Sequence, residues 1–143
     1  MQSYFENLNI IDLISEKHAQ LRKMVRDTWV EQGNHYLTDT ESYILALVER
    51  SPMTVAQLAR IIDISRQGAH KCVQGLISKG YIKSEILEGN CKNKVLTLTQ
   101  KGILFRQETL TIKEKFEQDI KTSIGEEHFN LVKQTLQKTW FPE

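Results

Sequence analysis

Apolar residues recur at steps of three and four through the N-terminal part of the chain, at Leu8, Ile11, Ile14, Leu21, Met24, Val25 and Trp29. That rhythm is the buried stripe of an amphipathic helix. It predicts one helix from about Phe5 to Trp29, closing near Gly33–Asn34. A second helix starts at Thr38, where Thr38 and Glu41 have the spacing of a capping box, and buries Tyr43, Ile44, Leu47 and Val48. Ser51–Pro52 ends it. Thr54 and Gln57 repeat the capping-box spacing and open a short helix through Val55, Leu58, Ala59 and Ile62. After Asp63–Ile64, Ser65 is placed to cap a fourth helix reaching Lys79, with Ala69, Cys72, Val73, Leu76 and Ile77 at helical spacing and Gly80 as a left-handed stop.

The period then changes. Tyr81, Ile82, Ile86 and Leu87, then Val95 to Leu98, have the β-branched, alternating character of strands around a turn at Glu88–Gly89–Asn90. A long helical pattern resumes at Thr99 through Ile103, Leu104, Ile112, Phe116 and Ile120. It breaks at Gly125 and continues with Phe129, Val132, Leu136 and Trp140. The expected fold is therefore mainly α with a small β-hairpin (α+β), as a single domain over 1–143. Two short helices joined by a tight turn and followed by a hairpin are the parts of a winged helix-turn-helix, here residues 37–99. Long helices at 4–32 and 100–141 flank that lobe.

In such a lobe the second helix enters the major groove of duplex DNA. If Ala69, Val73, Leu76 and Ile77 face inward, the 100° step per residue turns Arg66, Gln67, His70, Lys71 and Gln74 outward. Arg matches the guanine edge and Gln the adenine edge, while Lys71 and His70 suit bases or phosphates. Gly68 is costly inside a helix and would let that helix lie close against DNA. Thr54 and Ser65, at the two helix starts, complete the expected contact set on the helices, and Asn90, Lys92 and Lys94 extend it onto the hairpin. A polar helix face is also what plain solvation produces, and charged residues at a hairpin tip also serve solubility.

The overall charge of +1 conceals an asymmetry. Between Ser65 and Lys101 the balance is +5, leaving −4 for the remainder, which is the electrostatic footprint of a phosphate-binding face. Composition is that of an ordinary globular protein, 40% hydrophobic and 26% charged with 2 Pro, which disfavours disordered and fibrous classes. Neither a leader pattern nor an apolar run of membrane-spanning length is visible, so a cytoplasmic location and no membrane association are expected. Cys72 and Cys91 have no partner at metal-ligand or disulfide-framework spacing, so no metal or cofactor is expected. His18, His35, His70 and His128 are scattered singly, and no catalytic order or phosphate loop appears, so the chain does not read as an enzyme.

The run LTDTESYILALVERSPMTVAQLARIIDISRQGAHKCVQGLISKGYI, followed by VLTLTQKG, resembles the MarR family of bacterial transcription regulators. The resemblance spans Leu37 to Gly102 without gaps. It includes the Leu-Thr opening, Ser-Arg at the start of the reading helix, and Leu-Thr-x-x-x-Gly closing the wing. It implies a homodimer, built by the first helix and the last two, on double-stranded DNA at a pseudo-palindromic operator. Phe116, Phe129, Trp140 and Phe141 would then belong to the dimer core. The family's wing usually carries Asp-x-Arg where this chain has Asn90-Cys91-Lys92, and Lys92 keeps the charge without the planar fork of Arg.

The resemblance also implies a cleft for a small aromatic or anionic effector near Trp29, His35, Tyr36 and Tyr43, although packing is an alternative role for each. Cys91 at the wing tip is a candidate redox position, but oxidant-sensing members usually carry their cysteine in the first helix. Cys72 reads as a small buried hydrophobe. The implied function is a repressor released by its effector. The competing reading is a winged-helix protein-interaction module, an adaptor or co-regulator without its own operator.

Overall fold

The computed structural model describes residues 2–86 and 94–143, and the expected turn at Glu88–Gly89–Asn90 lies outside them. Its elements follow in the order α1 (Gln2–Glu6), α2 (Ile10–Glu31), α3 (Asp39–Arg50), α4 (Val55–Ile62), α5 (Arg66–Ser78), β1 (Ile82–Ile86), β2 (Lys94–Leu98), α6 (Gln100–Ile124) and α7 (Glu126–Gln137). The chain is thus mostly helical with one antiparallel hairpin, the winged helix-turn-helix order that the apolar rhythm predicts.

The N-terminal helix differs from that expectation because it is interrupted. Asn9 Oδ1 accepts the Asp12 N–H at 2.9 Å, and Asn9 Nδ2 donates to Asp12 Oδ2 at 2.9 Å. An Asn with extended backbone there starts a new helix, α2, and sets α1 apart. At the other end, Trp140 falls beyond α7, its indole N–H donating to the Thr135 carbonyl at 2.9 Å.

The chain divides into two compact units, Met1–Thr109 and Leu110–Glu143. In the first, both capping boxes form: Thr38 with Glu41 opens α3, and Thr54 with Gln57 opens α4. Ile44, Leu45, Leu58, Ala69, Val73, Leu76, Tyr81 and Leu96 are buried and pack α3, α4, α5 and the hairpin into one core. β1 pairs with β2 in the register Ile82↔Leu98 to Ile86↔Lys94, and Met53 forms a bridge to Leu96, whose N–H donates to the Met53 carbonyl at 2.7 Å. The hairpin is therefore fastened to the segment between α3 and α4, which holds its base against the helix-turn-helix.

An aromatic seam continues this core. Trp29 meets Phe105 edge-on at 5.0 Å, and Phe105 meets Tyr81 at 5.7 Å. Such pairs add about 0.5–1.5 kcal/mol beyond the area they bury. In the second unit, Phe129 is buried under Lys121, whose ammonium lies 5.0 Å from the ring centroid. Leu131, Val132 and Leu136 on α7 stay more than half exposed in the single chain, as do Ile10 and Ile11 on α2.

Candidate nucleic-acid interface

The reading face is set by how α5 starts, stops and rotates. Ser65 Oγ accepts the Gly68 N–H at 2.9 Å and satisfies one of the free amides of the first turn. A Cβ at position 68 would lie 3.0 Å from that hydroxyl, so the cap itself favours glycine there, independently of any closeness to DNA. At the far end Gly80 takes φ +86°, its N–H donating to Ile77 and the Tyr81 N–H to Leu76, which is the Schellman closure. Between these fixed ends Ala69, Val73 and Leu76 are buried almost completely. Arg66, Gln67, His70, Lys71 and Gln74 are all exposed, as the 100° step requires. Ile77 and Cys72 are half-buried at the flanks of the inner face.

The turn before α5 contains no glycine. Asp63 supplies the left-handed residue, φ 62° and ψ 50°, a conformation Asp tolerates better than most side chains. The Ile64 N–H then returns to the Ala59 carbonyl at 3.1 Å. Ala59 is buried where α4 and α5 approach, so the crossing is fixed by a small side chain and a short turn.

The C-terminal end of α5 is tied to α3, to α6 and to the link between β2 and α6. Lys79 Nζ lies 3.3 Å from Glu41 Oε2, while Glu41 Oε1 accepts the Thr38 N–H at 3.0 Å, so one carboxylate closes the α3 cap and holds α5. Lys101 Nζ donates to the Lys79 carbonyl at 2.7 Å, and Thr99 Oγ1 to the Gly80 carbonyl at 2.5 Å. Lys79 and Lys101 are thus engaged within the fold, and Lys83 pairs with Glu85 at 3.8 Å on the wing. Arg66, Lys71 and Lys94 have no ion pair among the described residues, so their charge faces outward uncompensated.

Thr54, Gln57, Arg60, Arg66 and Lys94 line one open cleft of about 450 Å³ between α4, the start of α5 and the start of β2. Thr54 is occupied in its capping box there. Arg60 was not among the expected contact residues. Its sequence signal is the step Thr54, Gln57, Arg60, three residues apart along one face of α4. Asn90, Cys91 and Lys92 lie outside the described residues.

The residues expected near an effector stand in different surroundings. Trp29 is 4% exposed, its indole N–H donating to the His35 carbonyl at 3.1 Å. The His35 ring packs edge-on against Tyr81 at 6.0 Å, with Nδ1 3.3 Å from Lys101 Nζ. Tyr36 and Tyr43 are exposed, and the Arg26 guanidinium lies 5.7 Å from the Tyr36 ring centre. Of the four, only Trp29 lines the small cavity of about 20 Å³ that it shares with Arg22, Arg26, Leu37, Ser42 and Phe105. Among the described residues no group of three or more His, Cys, Asp or Glu could hold a metal, and no helix is long and apolar enough to cross a membrane.

A capped helix with a dry inner face and a cationic, amide-rich outer face, beside a fastened hairpin, defines a winged-helix DNA-binding protein. Residues 37–89 match the model of the MarR family. The HTH-type transcriptional regulator TcaR of Staphylococcus aureus is 23% identical over 126 residues, 87% of this chain and 82% of that protein. The crystal structure of MarR superposes with a TM-score of 0.76 at 18% identity, over 92% of this chain and 88% of that one. The Mycobacterium tuberculosis MarR family protein Rv2887, in complex with salicylic acid, gives 0.70 at 19% identity, over 92% and 96%. At such identities the structural likeness carries the fold. Over residues 37–89 the chain is similar to the MarR family, and it is a DNA-binding transcription regulator.

Proposed function

We propose that the chain acts as a homodimeric repressor that binds a pseudo-palindromic operator and leaves it when a small aromatic or anionic effector binds. The observation that carries the DNA-reading part is the outer face of α5, where Arg66, Gln67, His70, Lys71 and Gln74 stand exposed over a fully buried Ala69, Val73 and Leu76. In this reading Arg66 and Gln67 meet base edges, Lys71, His70 and Gln74 meet bases or backbone, and Ser65 and Thr54 set the two helix starts against the sugar-phosphate chain. Gly68 lets α5 lie close, and Lys94, with Asn90 and Lys92, carries the wing contact. The cytoplasm is the corresponding location, and no catalytic activity, cofactor or metal is assigned.

Apolar residues left exposed on α2, at Ile10, Ile11 and Ile14, and on α7, at Leu131, Val132 and Leu136, supply the surface a second copy would cover. Two copies about a two-fold axis set two α5 helices roughly one DNA turn, about 34 Å, apart. The cavity beside Trp29 holds about 20 Å³, room for one water but far below the roughly 300 Å³ of a small-molecule site. An aromatic carboxylate must therefore open the seam between Trp29, Leu37 and Phe105, where Arg22 offers positive charge and Arg26 is already paired with Asp39. A ligand that binds only the opened form shifts the population away from the DNA-competent spacing.

The test is a footprint on the chain's own upstream DNA combined with mass determination of the complex. Two chains per duplex and two protected half-sites about one turn apart are expected, with protection lost on adding salicylate or a similar aromatic acid. A single protected half-site with one bound chain would refute the dimeric mechanism. Protection unaffected by every aromatic acid tried would refute the proposed effector class.

A further inference from the structure

Arg60 is the feature of this surface that neither the apolar rhythm nor the family resemblance points to. It stands exposed on α4, two residues past Leu58 and one past Ala59, whose side chains are buried. It lines the cleft of about 450 Å³ together with Arg66 from α5 and Lys94 from β2. A neighbouring cleft of about 440 Å³, lined by Ala56, Ala59, Asp63 and Ile64, also has both Arg60 and Arg66 on its wall. Among the described residues the first cleft has no carboxylate on its lining. In the second, Asp63 forms no ion pair with either arginine among the described residues. Several other long cations pair with carboxylates, as in Lys23–Asp27, Arg26–Asp39 and Arg106–Glu49, whereas Arg60, Arg66 and Lys94 form no ion pair among the described residues. Three cations from three elements facing one cleft without a counter-charge would repel one another unless an anion joins them.

We infer that Arg60 and Lys94, on the cleft they share with the base-reading Arg66, clamp a phosphate of the DNA backbone, and that Arg60 is the positioning residue through which the first helix of the helix-turn-helix fixes the approach of α5. This rests on the reading of α5 as the DNA-reading helix and deepens it. The partner is set by chemistry: the Arg60 guanidinium can grip phosphate oxygens through paired N–H donors, and Lys94 adds a second charge from the wing. Thr54 and Gln57 close their capping box on this wall through acceptor oxygens, so the box leaves the Thr54 O–H and the Gln57 side-chain N–H donors unused. A phosphate held between α4 and β2 spans the helix-turn-helix and the wing, so the contact sets register and carries no sequence information. A cation in the last turn of α4 also suits the helix dipole. That role would show in melting and not in the salt dependence of DNA binding.

The experiment measures affinity for the operator and for an unrelated duplex across a salt series with the full chain, Arg60→Gln, Arg60→Lys and Arg66→Ala. Arg60→Gln is expected to lower both affinities by the same factor, about 3- to 10-fold, and to reduce the log–log salt slope by about 0.9 per protomer, about 1.8 for the dimer. Arg60→Lys, which keeps the charge, is expected to retain the slope. An Arg60→Gln chain with unchanged affinity and slope, beside an Arg66→Ala chain that binds weakly, would overturn the clamp and leave the DNA reading standing. A loss confined to the operator would make Arg60 a base-reading residue and overturn the clamp equally. If neither arginine matters to binding, the DNA reading of this face falls, and the clamp with it.

Discussion

At the scale of single residues, the outward set on α5 follows from the sequence because each end of the helix is pinned by a local signal. Ser65 caps it, Gly80 turns it off, and the spacing of Ala69, Val73 and Leu76 leaves one rotation that buries all three. Arg60 was not legible in that way. Its neighbours in the cleft are Arg66, six residues on, and Lys94, thirty-four residues on, and no periodicity relates them. The same holds for Tyr81, whose buried setting depends on contacts with Phe105 and His35. Burial raises its phenol above the ordinary 10.0, with the carboxylates of Glu108 and then Glu41 adding to the shift. A group whose folded value lies above its unfolded value contributes its stability in full below about pH 10, and loses it as pH rises from there through the folded value. Denaturant melts between about pH 8.5 and 11 should therefore show the parent losing stability more steeply than Tyr81→Phe. Parallel curves for the two chains would contradict this account of Tyr81.

At the scale of elements, the capping boxes at Thr38 and Thr54 and the change from a period near 3.6 to one near 2 located the lobe. The break between α1 and α2 was hidden because Leu8 continues the apolar spacing across it, while the decisive Asn9–Asp12 cap is polar and local. The joint joining α5, β1 and α6 was hidden for another reason, namely that it is built from backbone. Thr99 Oγ1 accepts the Gly102 N–H at 3.1 Å, and the Thr99 N–H donates to the Tyr81 carbonyl at 3.1 Å. A Cβ on Gly102 would fall inside contact of the Tyr81 carbonyl oxygen and 3.3 Å from Leu98 Cβ. Alanine would gain up to about 1 kcal/mol of helix propensity, against an overpacking cost of typically about 1–3 kcal/mol, at the upper end here because the neighbour is backbone. The clash wins, so Gly102→Ala is expected to lower Tm by at least about 5 °C, read by circular dichroism. An unchanged Tm would show that α6 and the start of β1 are less tightly joined than this geometry requires.

At the scale of the whole molecule, a net charge of +1 is compatible with DNA binding because the charge is unevenly placed, +5 between Ser65 and Lys101. Within that segment the fold sorts the cations further: Lys79, Lys83 and Lys101 are held by the protein, while Arg66, Lys71 and Lys94 are left for a partner. The effector side was the least legible, since Trp29, His35, Tyr36 and Tyr43 are close in sequence yet only Trp29 reaches the closed cavity. The central claim, that α5 reads duplex DNA through its outer face, is tested most directly by titrating the chain against its own upstream promoter DNA across a salt series, with Arg66→Ala beside the parent. The expected result is an affinity that falls linearly in log–log form with salt, with a slope of several units. Arg66→Ala should narrow the preference for the operator over unrelated DNA by roughly 1–3 kcal/mol. A flat salt response, or an Arg66→Ala chain that discriminates as well as the parent, would contradict it.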